Sequence, residues 1–169
     1  MAYWQLYYHI VWATKYREPT ITPKREKALF NFMRSKAFGL GGYVHALNGT
    51  VDHVHLVASI PPKIAIARFV GQVKGVSSAR YNEEVREDFE TRFYWQESYG
   101  IFSFDKKRLP YIVEYVRRQK EHHAAEQIIP ILEKDAENDH PQSQISEAEL
   151  AYVTNYDQWF AAMMGESRP

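Results

Sequence analysis

The sequence predicts an α+β fold, an antiparallel sheet backed by helices, and three observations carry that prediction. Short stretches of alternating apolar and polar residues, typical of strands, are interleaved with stretches whose apolar residues recur at helical spacing. Two strand stretches are adjacent and joined by Asn48-Gly49, a pair that favours a hairpin. The chain has 169 residues, of which 45% are hydrophobic, and this is enough for one domain with a sizeable core.

The N-terminal part of the chain is expected to contain a strand followed by a helix. Residues 5–13 are rich in aromatic and β-branched residues, and Ile10 and Trp12 fall on one face at period two. Thr22 suits a helix N-cap and Pro23 suits the first turn, and apolar residues then follow at helical spacing until a cluster of glycines. We expect a helix of about four turns here.

The middle of the chain is expected to form a β-hairpin and a second helix. Residues 43–47 and 53–60 are the hairpin strands on either side of the Asn-Gly pair, and Pro61-Pro62 ends the second strand. Residues 64–86 then show helical spacing, although two glycines interrupt the pattern.

The next segment contributes one or two further strands within residues 93–104 and a helix over residues 106–123, with Pro110 in its first turn. The element order is therefore strand, helix, strand, strand, helix, strand, helix. This order indicates a ferredoxin-like sandwich, with an antiparallel sheet and helices on one face.

Charge divides the chain into two parts, although its formal net charge is +0. Residues 1–125 contain 19 Lys and Arg against 12 Asp and Glu, a net charge of +7, whereas residues 126–169 contain 2 against 9, a net charge of −7. We interpret residues 1–125 as the functional domain and residues 126–169 as an acidic extension, which Ser146 and Glu149 predict to be helical. A basic, aromatic-rich body is typical of polyanion binding, although a solvated basic surface without a ligand has the same charge.

Several classes of protein are excluded by what the sequence lacks. There is no cysteine, which excludes disulfide scaffolds, thiolate zinc sites and cysteine nucleophiles, and which fits a reducing compartment. No apolar run approaches the roughly 18 residues of a membrane helix, so we expect no membrane partner. No phosphate-binding glycine-rich loop is found, so we expect no nucleotide cofactor.

Two short sequence patterns contain residues that could bind an ion or act as a nucleophile. His53 and His55 are two residues apart on a predicted strand, so both imidazoles project from one face and can converge on one ion. Tyr115 and Gln119 are four residues apart on a predicted helix, which places the phenol and the amide about 6 Å apart on one face. Taken singly, each pattern also fits ordinary residues without a ligand, and Tyr111 is a rival to Tyr115 one turn earlier.

Together these patterns indicate a reaction centre. Two neutral imidazoles and an amide oxygen would hold a hard divalent ion with open coordination positions, an arrangement that suits phosphate binding. Such an ion can polarise a phosphodiester and orient it for in-line attack. A tyrosine hydroxyl nearby could then attack phosphorus, and the covalent intermediate would preserve the bond energy without ATP.

Further segments occur in the order found in a known family. They are residues 8–12, 14–17, 52–57, 59–63, 73–78, 95–104, 114–119 and 122–123. The strongest two read Asp52-His53-Val54-His55-Leu56-Val57 and Glu114-Tyr115-Val116-Arg117-Arg118-Gln119. On these segments the chain resembles the single-tyrosine HUH transposases of the insertion-sequence-200 kind, which include REP-associated members.

The resemblance implies a cytoplasmic, nucleoid-associated homodimer of ferredoxin-like domains that binds single-stranded DNA, often as hairpins. It also implies a divalent ion, Mg²⁺ or Mn²⁺, held by His53, His55 and Gln119. Tyr115 would be the nucleophile that becomes linked to a 5′ phosphate, in its own subunit or in the other.

Other residues near these positions have open roles. His122 or His123 could replace Gln119 as a ligand. Asp52 either orients an imidazole or is an ordinary turn residue.

Basic residues that flank the proposed site are expected to neutralise DNA phosphates. They are Lys15, Arg17, Lys63, Lys74, Arg80, Arg117 and Arg118. Tyr3, Trp4 and Trp95 could stack on unpaired bases or could belong to the core. The predicted function is a metal-dependent DNA endonuclease and strand transferase, and the alternatives are a hairpin-binding protein without cleavage and a metallohydrolase that activates water.

Overall fold

The computed structural model describes residues 2–135. Its main elements are β1 (Tyr7–Ala13), α1 (Pro23–Gly39), β2 (Tyr43–Gly49), β3 (His53–Ser59), α2 (Ile66–Arg80), β4 (Gly100–Phe104), α3 (Leu109–Arg117) and α4 (Gln119–Ala124). The helix predicted near Ser146 and Glu149 lies outside the described residues. Within residues 2–135, no helix combines the length and the apolar character needed to cross a membrane.

The four strands form one sheet in the order β2-β3-β1-β4, and every neighbouring pair is antiparallel. The two central strands are β1 and β3, which pair along their whole length, with Ile10 opposite Leu56 and Val11 opposite His55. This arrangement confirms the predicted ferredoxin-like α+β fold.

The sheet lies between two layers of helices, so the prediction that helices cover one face was wrong. On one face, Ile10 and Leu56 pack against α1 and α2 in the larger core. On the other face, Val57 packs against Ile112 and Val116 of α3 in a smaller core. The reason is visible in β3, in which all seven residues are buried, because alternate side chains of a central strand need a cover on both sides.

The hairpin was predicted correctly, but its turn is displaced. Asn48 and Gly49 belong to β2 and pair with His55 and Val54, and the loop comprises residues 50–52. Gly49 is required for a different reason, because a Cβ atom at this position would collide with the backbone carbonyl of His53. This close approach positions the first residue of β3.

The predicted last helix is interrupted. Arg118 leaves the helical conformation at φ −95° and ψ 19°, so Gln119 begins α4 instead of continuing α3. After α4 the chain turns back, with Glu126 in the left-handed region at φ 55°. Ile129 and Leu132 are then buried in the smaller core, so residues 126–135 pack on the body even though they begin the acidic extension.

Candidate metal and tyrosine site

The two strand histidines meet at one point beside α3. Strand β3 turns both side chains to the face that α3 covers, and both are buried. Their Nε2 atoms lie 3.2 Å (His53) and 3.1 Å (His55) from the same carboxylate oxygen, Oε2 of Glu133. The convergence that the spacing predicted is therefore present.

Glu133 ends a short 3₁₀ turn over Pro130–Glu133 and reaches the centre of the cluster. Its Oε2 also lies 3.2 Å from Nε2 of His123. Its Oε1 accepts hydrogen bonds from Nε2 of Gln119, at 2.9 Å, and from the hydroxyl of Tyr115. Sequence reasoning missed Glu133, because no local pattern distinguishes it from the other acidic residues after residue 125.

The charge of Glu133 is stabilised by its surroundings. Burial alone would raise the pKa of this carboxyl group, but its contacts with the imidazoles of His123, His53 and His55 outweigh burial and hold the pKa far below its usual range. The group is therefore an anion surrounded by nitrogen atoms.

Tyr115 projects from α3 into the smaller core, and its ring has no exposed surface. The ring stacks on His122, with centroids 5.0 Å apart, and the hydroxyl accepts a hydrogen bond of 3.1 Å from the backbone N–H of Ile129 while donating to Glu133. Burial raises the pKa of the phenol above its usual range, and the negative charge of Glu133 acts in the same direction. The hydroxyl thus lies beside the imidazole pair of its own chain, whereas Tyr111 is at the edge of the smaller core.

The imidazoles are held in orientation by a second layer of contacts. Oδ1 of Asp52 lies 2.6 Å from Nδ1 of His53, and Thr50 donates to the same oxygen at 2.9 Å. This is the orienting role considered for Asp52, since a carboxylate at Nδ1 directs the Nε2 lone pair towards the cluster. On the other side, Nε2 of His9 lies 2.9 Å from Nδ1 of His55.

Burial and charge act in opposite directions on these rings. Burial lowers the pKa of His53, but the carboxylates of Glu133 and Asp52 outweigh it and the pKa is raised. Burial lowers the pKa of His55 and, more strongly, that of His9. His9 was not predicted as a site residue, because its role depends on β1 pairing with β3.

The site fits a divalent cation. Among the described residues, Nε2 of His53 and Oε1 of Gln119 are buried without a hydrogen-bond partner, so two lone pairs on the predicted ligands are unused. One ligand atom from each of His53, His55, His123 and Glu133 also falls within 4.8 Å of the others. Imidazole nitrogen, amide oxygen and carboxylate oxygen are all established ligands of divalent metals.

Several of the predicted DNA-binding residues have internal partners. Arg17 forms ion pairs with Asp52 at 3.3 Å and Asp135 at 2.8 Å. Arg80 pairs with Glu84 at 2.8 Å. These contacts leave the predicted DNA role untested.

The remaining basic residues differ in exposure. Lys15, Lys63 and Arg117 are exposed. Arg118 is partly buried and lies 2.8 Å from Glu121.

Lys74 is buried beside a groove of about 400 Å³ between α2 and residues 94–99. Its Nζ donates to the backbone carbonyls of Glu97 and Ser98 at 3.0 and 2.8 Å. Burial lowers the pKa of Lys74 from 10.5 to about 8. Trp95 also belongs to the core, where its Nε1 donates to Ser77, whereas Tyr3 and Trp4 are exposed.

Comparison with known proteins shows a family whose model matches most of this chain. Residues 2–119 match the family model described as "Transposase IS200 like". The chain belongs to this transposase family. The transposase for insertion sequence element IS200 of Salmonella typhimurium is 27% identical over 121 residues, which are 70% of this chain and 79% of that relative. The ISDra2 transposase TnpA of Deinococcus radiodurans is 30% identical over 119 residues, 69% of this chain and 85% of that relative.

Solved structures agree with the fold of this IS200-like transposase. A crystal structure of a transposase from Deinococcus radiodurans R1 has a TM-score of 0.55 and 25% identity, and covers 75% of this chain and 95% of that one. A REP-associated tyrosine transposase bound to a REP hairpin also has a TM-score of 0.55, at 11% identity, over 73% of this chain and 74% of that one. At 11% identity, the similarity to the REP-associated transposase concerns the fold alone. The family match ends at Gln119, so His123 and Glu133 of this transposase lie beyond it.

Proposed function

We propose that this transposase is a metal-dependent endonuclease and strand transferase that acts on single-stranded DNA through a covalent 5′-phosphotyrosine at Tyr115. One shared contact carries the proposal. The Tyr115 hydroxyl and the Nε2 atoms of His53 and His55 all lie against the carboxylate of Glu133. A phosphodiester placed there would meet the nucleophile and the ion ligands together.

We assign His53, His55 and the amide oxygen of Gln119 to a divalent ion, Mg²⁺ or Mn²⁺. The unused lone pairs of His53 and Gln119 support the assignment. When bound, the ion supplies polarisation of a phosphoryl oxygen and alignment for in-line attack.

Tyr115 performs the covalent step in this proposal. A bond forms between its Oη atom and phosphorus, the bond from phosphorus to the 3′ oxygen breaks, and that oxygen leaves as a hydroxyl after taking up a proton. The N–H of Ile129 and the carboxylate of Glu133 hold Oη in place, and the proton that Tyr115 loses balances the proton that the leaving 3′ oxygen takes up. A 3′ hydroxyl can later attack the phosphotyrosine and rejoin a strand without a nucleotide cofactor.

The proposed substrate is single-stranded DNA that folds into hairpins. The net charge of +7 over residues 1–125 supports a polyanionic partner. The REP-associated transposase with the same fold is bound to a hairpin, and we extend this ligand class to the present chain. The seven basic residues predicted from the sequence remain our candidates for phosphate contacts.

We also propose that the enzyme acts as a homodimer at the nucleoid, and that residues 1–125 carry the DNA chemistry. Residues 126–135 supply Glu133 to the same site. Because the Tyr115 hydroxyl reaches the imidazole pair of its own chain, we assign the tyrosine to the site in its own subunit.

The test is to incubate the protein with Mg²⁺ or Mn²⁺ and single-stranded DNA from its own genomic flanks. We expect an adduct that resists denaturation, maps to the peptide containing Tyr115 and disappears with a chelator. Cleavage without an adduct would indicate a metallohydrolase that activates water. Hairpin binding without cleavage under every metal tested would indicate a DNA-binding descendant.

A further inference from the structure

Glu133 lies beyond the family match, as His123 does, and it makes the most contacts in the site. We propose that Glu133 is a metal ligand, and that with His53, His55 and His123 it forms a centre of three imidazoles and one carboxylate that prefers Mn²⁺ or Zn²⁺ to Mg²⁺. The inference rests on the proposed metal site: it keeps His53 and His55 as ligands and assigns His123 and Glu133 in place of Gln119.

The distances match those between ligands of one ion. Oε2 of Glu133 lies 3.1 Å from Nε2 of His55 and 3.2 Å from Nε2 of both His53 and His123. In a tetrahedral site with bonds of about 2.0–2.2 Å, neighbouring ligand atoms are roughly 3.3–3.6 Å apart. The carboxylate oxygen therefore needs to move away from each nitrogen by a few tenths of an ångström to share an ion with them, and all four ligand atoms already lie within 4.8 Å of one another.

The hydrogen bonds of His53 are a second argument for a bound cation. The carboxylate of Asp52 occupies Nδ1 of His53, and a neutral imidazole has a single N–H to donate. Nε2 of His53 faces Glu133 at 3.2 Å, yet this atom has no hydrogen-bond partner among residues 2–135. A cation between this nitrogen and the carboxylate would make both of them ligands.

The turn that carries Glu133 is built into the fold. Ile129 and Leu132 anchor it in the smaller core. At its far end, Gly100 of β4 lies so close to the carbonyl of Lys134 that a Cβ atom would collide with it. Asp135 then pairs with Arg17 at 2.8 Å. Glu133 is thus held at the cluster from both sides.

The ligand set determines the preferred ion. Mg²⁺ favours oxygen ligands and retains bound water, whereas imidazole suits the transition ions and zinc. Three imidazoles with one carboxylate should therefore bind Mn²⁺ and Zn²⁺ more tightly than Mg²⁺.

The test measures metal binding directly, in the absence of DNA. Isothermal titration of the full-length metal-free protein with MnCl₂, ZnCl₂ and MgCl₂ should give dissociation constants at least about tenfold lower for Mn²⁺ and Zn²⁺ than for Mg²⁺. E133Q should weaken Mn²⁺ binding by at least about tenfold. The matched control is E121Q, because Glu121 is an exposed glutamate that pairs with Arg118, and it should bind Mn²⁺ normally.

A second variant keeps the proposal testable if E133Q does not fold. G100A keeps every proposed ligand residue but displaces the backbone of Lys134, next to Glu133, so it should also weaken Mn²⁺ binding, with circular dichroism unchanged. Unchanged or tighter Mn²⁺ binding by E133Q would overturn the proposal, and would mean that the carboxylate competes with the ion. Equal affinity for Mg²⁺ and Mn²⁺ would overturn the selectivity.

Failure of this inference is distinguishable from failure of the proposed function. If E133Q loses Mn²⁺ binding but the wild-type protein forms no DNA adduct, the ligand assignment stands and the phosphotyrosine proposal fails. If the adduct forms and E133Q binds Mn²⁺ normally, the phosphotyrosine proposal stands and the assignment of Glu133 as a metal ligand fails.

Discussion

The hydroxyl of Tyr115 donates a hydrogen bond to the carboxylate of Glu133. This contact joins α3, within the part of the chain that matches the family, to a turn beyond it. The other oxygen of the same carboxylate faces His53, His55 and His123. The candidate nucleophile and the candidate metal ligands therefore share one partner in one chain.

Tyr115→Phe should abolish the covalent DNA adduct and leave hairpin affinity within about twofold, because the hydroxyl supplies the attacking oxygen but carries none of the positive charge that neutralises backbone phosphates. Denaturing electrophoresis measures the adduct and fluorescence anisotropy measures binding. Tyr111→Phe is the matched control and should retain the adduct. An adduct in the Tyr115→Phe protein would assign the nucleophile elsewhere.

Mixing two inactive variants should not restore activity. A protein with His53→Ala and His55→Ala lacks the ion ligands, and Tyr115→Phe lacks the nucleophile. If both functions belong to one chain, a mixed dimer contains no complete site, so the mixture forms no more adduct than either protein alone. Recovery of adduct in the mixture would show that Tyr115 acts on the site of a second copy.

Arg117→Ala should weaken DNA binding equally for all sequences, because an exposed guanidinium neutralises phosphate without reading bases. The slope of log K against log salt should fall by about 0.7 for a single strand, the value for one lost phosphate contact. Lys24→Ala is the control, since Lys24 lies in the first turn of α1, in the opposite helical layer, and pairs with Glu87. A wild-type affinity that does not depend on salt would contradict the DNA-binding interpretation.

Lys74 should make stability depend on pH. The pKa of Lys74 is about 8 in the folded protein, against the ordinary value of 10.5 for the unfolded chain. Between these two pH values the unfolded chain therefore binds more protons than the folded protein. The free energy of unfolding of the wild type, measured relative to Lys74→Met, should therefore rise by about 1–2 kcal/mol from about pH 7 to about pH 10. Urea unfolding at several pH values measures the difference, and a fall with pH would contradict the burial of the charge.

Gly49→Ala should lower the free energy of unfolding by about 2–4 kcal/mol, because its Cβ atom collides with the backbone carbonyl of His53. Gly71→Ala is the control, since its Cβ atom meets nothing within 4 Å and alanine favours the helix by about 0.5–1 kcal/mol. Urea unfolding measures both. Equal effects of the two substitutions would show that the β2–β3 connection tolerates a side chain.

Local patterns predicted much of the fold because they reflect short-range physics. Thr22 caps α1 as expected, with its side-chain oxygen accepting the N–H of Arg25. The alternation in β3 predicted that His53 and His55 share a face, since that follows from the geometry of any strand. The side chains of Tyr115 and Gln119 both contact Glu133, as their spacing on one face allows, although Arg118 breaks the helix between them.

Sequence patterns were therefore sufficient to predict the strands, most of the helices, the family and the pair of imidazoles. The packing of distant segments was needed to show that helices cover both faces of the sheet, that His9 supports His55, and that Glu133 enters the site. Glu133 and His55 are 78 residues apart, and nothing in the residues next to either one encodes their contact. The contact forms because Ile129 and Leu132 pack in the smaller core and so bring Glu133 to the histidines. That core is formed by the packing of α3 on the sheet.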